Sequence, residues 1–369
     1  MKLKSIILFI VILLLLFVRE IGRQAYLFNI RWLYLIVLSF CITYFLVPFV
    51  IEIAKKYNLF DYPDERKIHD QPIPRLGGIA VFLGITISLL RNFQFTKEIL
   101  GLLFGLVIVF FVSLLDDIYS LSAFIRLISQ IVASLIVILF GFKITALPVG
   151  FPLENLLESI ITIIWFVGVI NAINFLDGID GLVTGFGFFC SLIFLFLSLL
   201  TGQKHVSYLS AVLVGASLGF LPYNWYKAKI FLGDSGAVVI GYILAAISVI
   251  GWWAEKNPVV SLSTPVLILG VPIYDMIYIT ISRIKNKQVR SFKEWIEYVG
   301  KDHIHHRLLN LNFSVPSSVG IILLITFCLG LYTIILRYGI FSDVLAIAVL
   351  FQASLIFIIL SIFMATGRK

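Results

Sequence analysis

The chain has 369 residues, of which 60% are hydrophobic and only 13% charged, and its mean hydropathy is +1.07. Such an excess of apolar residues excludes a soluble globular protein and leaves an integral membrane protein. The net charge of +8 does not call for nucleic acid: it fits basic loops on one side of a bilayer and affinity for phosphorylated ligands or anionic lipid.

From the N-terminus, Lys2 and Lys4 precede the apolar run 6–18. It has the form of a signal peptide, but no small-residue cleavage site follows, so a retained helix is expected within an extra N-terminal segment, 1–30. Later candidate spans are 32–54, 76–90, 99–115, 127–141, 157–175, 182–201, 206–221, 237–253, 262–282, 316–336 and 343–364. These predict an all-α polytopic bundle of about 11–12 transmembrane helices, forming one membrane domain over 1–369. Cys41, Cys190 and Cys328 are scattered through apolar runs, which suggests neither a disulfide framework nor a zinc site. With the N-terminus cytoplasmic, most of the 28 Lys and Arg fall on the cytoplasmic side, including Lys55, Lys56 and the seven from Arg283 to Arg307. Arg19, Arg23 and Arg31 stand against that bias.

The polar motifs gather at the same side. The segment from Lys67 to Gly78 holds Pro72 and Pro74, so it is extended before Gly77 and Gly78 lead into a helix; Lys67 and Arg75 are either plain basic anchors or phosphate contacts. Asp116 and Asp117 end an apolar run. Adjacent carboxylates raise each other's proton affinity unless a cation intervenes, which points to a metal, a general base or both, against a solvated helix end. Asp is unfavourable at a helix C-terminus, and Arg126 is the candidate to compensate.

Asn171, Asn174, Asp177 and Asp180 recur every third residue, which on a helix stacks them roughly along one face. Facing lipid would be costly, so they are expected to meet a wet cavity, a metal or a polar partner; helix caps in an ordinary loop are the plainer alternative. In the run Phe231 to Gly236, two glycines flank Asp234, and a helix starting at Ser235 or Gly236 would offer free N–H groups to an anion beside that acid. Asp275 in its apolar span is expected to be structural or to support a neighbour. Asp302 to Arg307 reads DHIHHR; on a helix His303 and His306 share a face, and without Cys the cluster suits phosphate better than zinc.

Five stretches in this order resemble the polyprenyl-phosphate N-acetylhexosamine-1-phosphate transferases: KIHDQPIPRLGG, LLDDIYSLSAFIRL, NAINFLDGIDGL, FLGDSG and HIHHRL. The resemblance implies a catalytic core over about 55–310 with its active site at the cytoplasmic face of a bacterial plasma (inner) membrane. The implied reaction moves a sugar-1-phosphate from a UDP-sugar to a polyprenyl phosphate, releases UMP and uses Mg²⁺, with Mn²⁺ as an allowed substitute. By position, the resemblance makes Asp116 and Asp117 the essential acid pair, acting with His303 and His306. It assigns Asp234 and Asn174 to the metal. It assigns Lys67, Arg75, Arg126, Asp177, Asp180, Asn224, Phe231, His305 and Arg307 to substrate, with Phe231 placed to stack on uracil.

The HIHHR form resembles the UDP-GlcNAc branch rather than the muramoyl-pentapeptide branch, whose three consecutive His are interrupted here by Ile304. The expected reaction is therefore GlcNAc-1-phosphate transfer to undecaprenyl phosphate, with UDP-MurNAc-pentapeptide or another UDP-N-acetylhexosamine as the alternative donor. Partners are the two substrates and the bilayer, no nucleic acid, and, as the resemblance allows, a second copy in a homodimer. The rival from another class is a lipid-phosphate transporter or flippase. That rival predicts ionisable residues near the membrane midplane, whereas these acids collect at one edge.

Overall fold

A computed structural model describes residues 16–63, 70–92, 96–145, 147, 150–254, 258–298, 300–338 and 343–367. The predicted helix 6–18 lies almost wholly outside them. What is described begins with a short helix, α1 (Arg19–Leu27), which Asn29 at positive φ separates from α2 (Arg31–Lys56). A two-stranded antiparallel ribbon, β1 (Phe60–Asp61) with β2 (Ile73–Pro74), then leads into α3 (Gly77–Asn92). There follow α4 (Lys97–Tyr119), α5 (Ala123–Leu139), α6 (Glu154–Leu176), α7 (Leu182–Leu200), α8 (Lys204–Asn224) and α9 (Gly233–Ile250). The last third holds α10 (Pro258–Ile268), α11 (Gly270–Lys285), the short α12 (Phe292–Glu297) and α13 (Ile304–Asn310), then α14 (Val315–Tyr338) and α15 (Asp343–Thr366).

Among the described residues eight helices are long and apolar enough to cross a membrane, and two shorter apolar helices, 77–91 and 123–139, accompany them. The single span expected over 262–282 is instead a pair of helices, α10 and α11, bent by 81°. Pro265 within α10 weakens the hydrogen-bond ladder just before the break. The molecule is an all-α polytopic membrane protein, with apolar residues such as Leu139, Ile164 and Phe351 on its exposed surface, where lipid would lie.

The bundle is built around α9. Its spanning window is 78% buried, against 22% for α15 at the periphery. Small residues make that depth possible: Gly233, Gly236, Ala237, Gly241, Ala245 and Ala246 let α3, α4 and α6 approach closely. Since lipid is as apolar as the helix faces, close packing and interhelical hydrogen bonds do the binding. The buried Tyr242 donates to the Leu102 carbonyl at 3.0 Å, Ser39 to Val212 at 2.8 Å, and Trp165 Nε1 to Ser248 at 2.7 Å. Each such bond contributes on the order of 1 kcal/mol. The bonds of Tyr242 and Ser248 hold α9 against α4 and α6, and so help set the place of the acid at its first turn.

Candidate active site

Asp116 and Asp117 fall in the last turn of α4, where a carboxylate would meet the negative end of the helix dipole. Each is offset differently. Asp116 accepts the Leu121 N–H at 2.6 Å on one oxygen and Arg126 Nη1 at 2.9 Å on the other. Arg126, in the first turn of α5, is the compensating cation that the sequence suggested. The same Nη1 reaches Asp234 Oδ2 at 3.0 Å, so one guanidinium joins acids from α4 and α9.

Asp117 points the other way. Its two oxygens accept the backbone N–H groups of Asp234 and Ser235 at 2.9 and 3.1 Å. The helix begins at Gly233, two residues earlier than expected, and its free N–H groups are not left for a substrate anion. The anion at that N-terminus is Asp117 itself. Such charge-assisted bonds contribute about 1.5–3 kcal/mol each. Gly233 is the hinge of the arrangement: its φ is +75°, and a Cβ there would lie 2.9 Å from Asp117 Oδ2.

The extended segment before α3 supplies the next wall. Pro74 O accepts the Phe231 N–H at 2.8 Å, and Gly77 and Gly78 donate to the carbonyls of Phe231 and Leu232 at 3.0 and 2.8 Å. The two PIPRLGG and FLGD segments thus run side by side, and the Arg75 guanidinium donates to the Asp117 carbonyl. Lys67 lies outside the described residues.

The stripe from Asn171 to Asp180 is not one helical face, and that expectation is corrected. α6 stops at Leu176, Asp177 is its cap, and Gly178 and Gly181 carry the chain into a turn before α7. Asn171 donates to Gln130 of α5 at 2.6 Å and to the Val167 carbonyl, inside the bundle. Asn174 buries its carbonyl Oδ1 with no hydrogen-bond partner. Asp180 accepts the Ala228 N–H at 3.0 Å. Asp177 is pushed up to about 8, first by burial and then by the carboxylates of Asp234, Asp117 and Asp180.

A cavity of about 770 Å³ opens onto these groups. Its lining includes Arg75, Asp117, Asp177, Asp180, Phe231 and Asp234. Asn224 reaches it as well, but its amide spans the Ile230 carbonyl (3.1 Å) and the Thr184 hydroxyl (2.8 Å), so it shapes the wall by holding the loop. Lys227 and Lys229 also line the cavity. Their position just ahead of FLGDSG is the sequence signal that points to them.

The histidines divide three ways. His303 is the N-cap of α13 rather than part of it, so the shared helical face expected for His303 and His306 is not formed. Its Nδ1 lies 2.8 Å from Asp275 Oδ2, and Asp275 Oδ1 accepts the Ile304 N–H at 2.9 Å. Asp275 is thus the support of this segment. His305 is buried against Gly178, where a Cβ would lie 2.0 Å from its Nε2. Burial, then His306 and His303, hold its imidazole well below the usual range. Only His306 lines the cavity; burial, then His303 and Lys301, press it down to about 4. Burial thus disfavours the charged form of His305 and His306, and the cations lining the cavity are Arg75, Lys227 and Lys229, with Arg126 held on Asp116 and Asp234 outside the lining. Arg307 is buried beside them, its Nε donating to the Asp302 carbonyl at 2.9 Å.

The donor set suits a hard divalent cation. Its groups are oxygens, carboxylates crowd around Asp177, and the Asn174 Oδ1 is orphaned. Among the described residues no three His, Cys, Asp or Glu side chains already converge in ligand geometry; Asp116 and Asp234 close on Arg126 instead.

Comparison with known proteins agrees with this architecture. The sequence profile of glycosyl transferase family 4 matches residues 99–252, the stretch from α4 to just beyond α9. A Bacillus subtilis (strain 168) protein named probable undecaprenyl-phosphate N-acetylglucosaminyl 1-phosphate transferase is 34% identical, over 84% of this chain and 86% of its own length. A Mycobacterium tuberculosis decaprenyl-phosphate N-acetylglucosaminephosphotransferase is 32% identical over 77% of each chain. A Thermotoga maritima undecaprenyl-phosphate alpha-N-acetylglucosaminyl 1-phosphate transferase is 32% identical over 67% of this chain and 74% of its own.

Proposed function

The chain belongs to the polyprenyl-phosphate N-acetylhexosamine-1-phosphate transferase family, and we propose that within it the protein transfers GlcNAc-1-phosphate from UDP-GlcNAc to undecaprenyl phosphate. The products are undecaprenyl-diphosphate-GlcNAc and UMP, made at the cytoplasmic face of a bacterial plasma membrane. The observation that carries this reading is the meeting of Asp116 and Asp234 on Arg126, with Asp117 on the amides of Asp234 and Ser235. Helix ends far apart in sequence build one charged cluster, of which Asp117 and Asp234 face a cavity of nucleotide-sugar size.

Both substrates are phosphate anions, and the basic residues of the wall answer that charge. Arg126 is shared by two acids, so an incoming lipid phosphate competes with Asp116 for it. Asp116, released on that side, is the acid to which we assign acceptance of the phosphate proton. The lipid phosphate oxygen then bonds to the sugar-bearing phosphorus as that atom's bond to the bridging oxygen of UMP breaks. Asp234 and the Asn174 carbonyl would hold Mg²⁺, with Asp177 adding nearby acidic character, and the ion would supply neutralisation of the diphosphate. Both Asp117 oxygens are engaged by backbone N–H groups, which lowers their nucleophilicity and favours direct attack over a covalent aspartyl route. One pyrophosphate linkage replaces another, so the reaction should be readily reversible.

Purified protein with UDP-GlcNAc, undecaprenyl phosphate and Mg²⁺ should release UMP, and Asp234→Ala should abolish the release. A panel of UDP-sugars fixes the donor. Lipid movement across vesicles with no UMP formed would establish the transporter instead.

A further inference from the structure

Exposure alternates along the loop that enters α9. Lys227 and Lys229 are exposed, while Ala228 and Ile230 between and after them are buried. The backbone of this loop is pinned almost residue by residue. Ala228 donates its N–H to Asp180 Oδ2 at 3.0 Å, and Lys229 donates its own to the Tyr223 carbonyl at 2.8 Å. The Ile230 carbonyl accepts from the Asn224 amide at 3.1 Å, and the Phe231 N–H reaches the Pro74 carbonyl at 2.8 Å. Two flexible cations therefore spring from a fixed backbone, and both line the reaction cavity.

The charges around that cavity are unequally committed. Arg75 donates to the Asp117 carbonyl, and Arg126, behind the lining, is shared by Asp116 and Asp234. Asp180, the acid that holds the loop, meets it at the backbone N–H of Ala228. Among the described residues neither the Lys227 nor the Lys229 ammonium ends in an ion pair or a hydrogen bond. An anion entering the cavity thus reaches these two groups without displacing an internal partner, whereas at Arg126 it competes with two carboxylates. A Lys ammonium is a compact point charge with three rotatable donors, well suited to a phosphate whose exact pose is set by other contacts.

Resting on the transferase reading, we propose that Lys227 and Lys229 bind the phosphate of the uridylyl group, on UDP-GlcNAc as it enters and on UMP as it leaves, and that they do so without the metal. The loop itself argues for the nucleotide over the lipid. Lys229 stands two residues before Phe231, the ring that the family resemblance assigns to uracil, so one pinned segment carries the contacts for base and phosphate together. The same contact makes UMP a competitive inhibitor against the donor. That inhibition weakens as salt is added, because exposed ammonium groups are screened.

The test is equilibrium dialysis of the full-length protein in neutral detergent with EDTA, using radiolabelled UMP and radiolabelled uridine. The wild type should bind UMP about tenfold or more tighter than uridine, the scale of a charge-assisted contact. Lys227→Gln with Lys229→Gln should bring UMP down to the affinity of uridine. Uridine binding should stay unchanged, which also reports that the variant is folded. Lys227→Arg with Lys229→Arg should keep most of the preference. If the Gln pair binds no uridine, the single changes Lys227→Gln and Lys229→Gln are read in the same way, each expected to lose about threefold or more. In turnover, the Gln pair should raise KM for UDP-GlcNAc about tenfold and leave KM for undecaprenyl phosphate within about twofold. Equal binding of UMP and uridine by the wild type, a preference that survives the Gln variants, or a rise confined to KM for the lipid overturns the assignment and leaves the transferase reading standing. A wild type that binds neither UMP nor uridine, with EDTA or with Mg²⁺, overturns both.

Discussion

The two ends of α6 bury charge in opposite ways. Near its start, Glu158 is 1% exposed and its Oε2 meets Lys143 Nζ at 2.8 Å, while Oε1 accepts the Leu147 N–H at 3.3 Å. Thr162, one turn on, accepts the Ile144 N–H at 2.9 Å. One cation answers one acid, and the loop after α5 is tied down. At the other end, about 34 Å along a helix of 23 residues, Asp177 faces Asp234, Asp117 and Asp180. A balanced pair closes a structure. An unbalanced cluster at a cavity wall leaves charge for a proton or a ligand to answer, and that marks it as a candidate site.

The largest expected effect breaks the cluster at its anchor. Asp117→Asn keeps the shape but puts an amide NH₂ against one of the two N–H groups at the start of α9. UMP release should fall about 10³-fold, a loss typical of removing a preorganised electrostatic contact. Loss of about tenfold or less would make Asp117 a structural acid like Glu158.

Gly233→Ala tests the same contact from the backbone. Positive φ for Ala costs about 1–2 kcal/mol, and its Cβ would press on the Asp117 carboxylate. Activity should drop about 10–100-fold through displacement of Asp234, with a lowered thermal midpoint in detergent. Wild-type kinetics in Gly233→Ala would mean that this registry does not matter.

A pH titration sharpens the comparison further. His306 has its folded value pressed to about 4, below the ordinary 6.5 of the unfolded chain. Its contribution to stability is therefore present above pH 6.5 and is lost as pH falls from there toward 4. The thermal midpoint of His306→Gln should decline less steeply than wild type across that window. Equal slopes would place His306 in contact with bulk water.

The smallest effect on activity belongs to the far end. Glu158→Gln should leave UMP release within about twofold while lowering stability by about 1–2 kcal/mol, modest because Lys143 is 26% exposed and can turn to water. A large activity loss would join the two ends of α6 into one functional unit.

Several features were legible because they are local. Continuous apolar runs of about 20 residues had to become membrane helices, since such a run satisfies its own backbone in lipid only as a helix. Pro72 and Pro74 had to make an extended entry before Gly77 and Gly78. Arg126 could be named as a candidate to compensate the Asp116–Asp117 pair because a carboxylate at a helix C-terminus needs a cation and the start of the next helix supplied one. The sites of the acids were visible as polar letters in apolar text.

Their orientation was not. Every-third spacing could not show that α6 ends at Leu176, because that depends on where Gly178 must admit the His305 ring. Nor could sequence show that Asp117 rather than substrate fills the N-terminus of α9, that Asp275 holds His303, or that Arg307 looks into a different cavity from His306. Membrane insertion and element type follow from the free energy of transferring each segment by itself, which its own residues set. Which oxygen meets which donor depends on how separate helices pack, and those contacts exist only once residues from 28 to 117 positions apart have met.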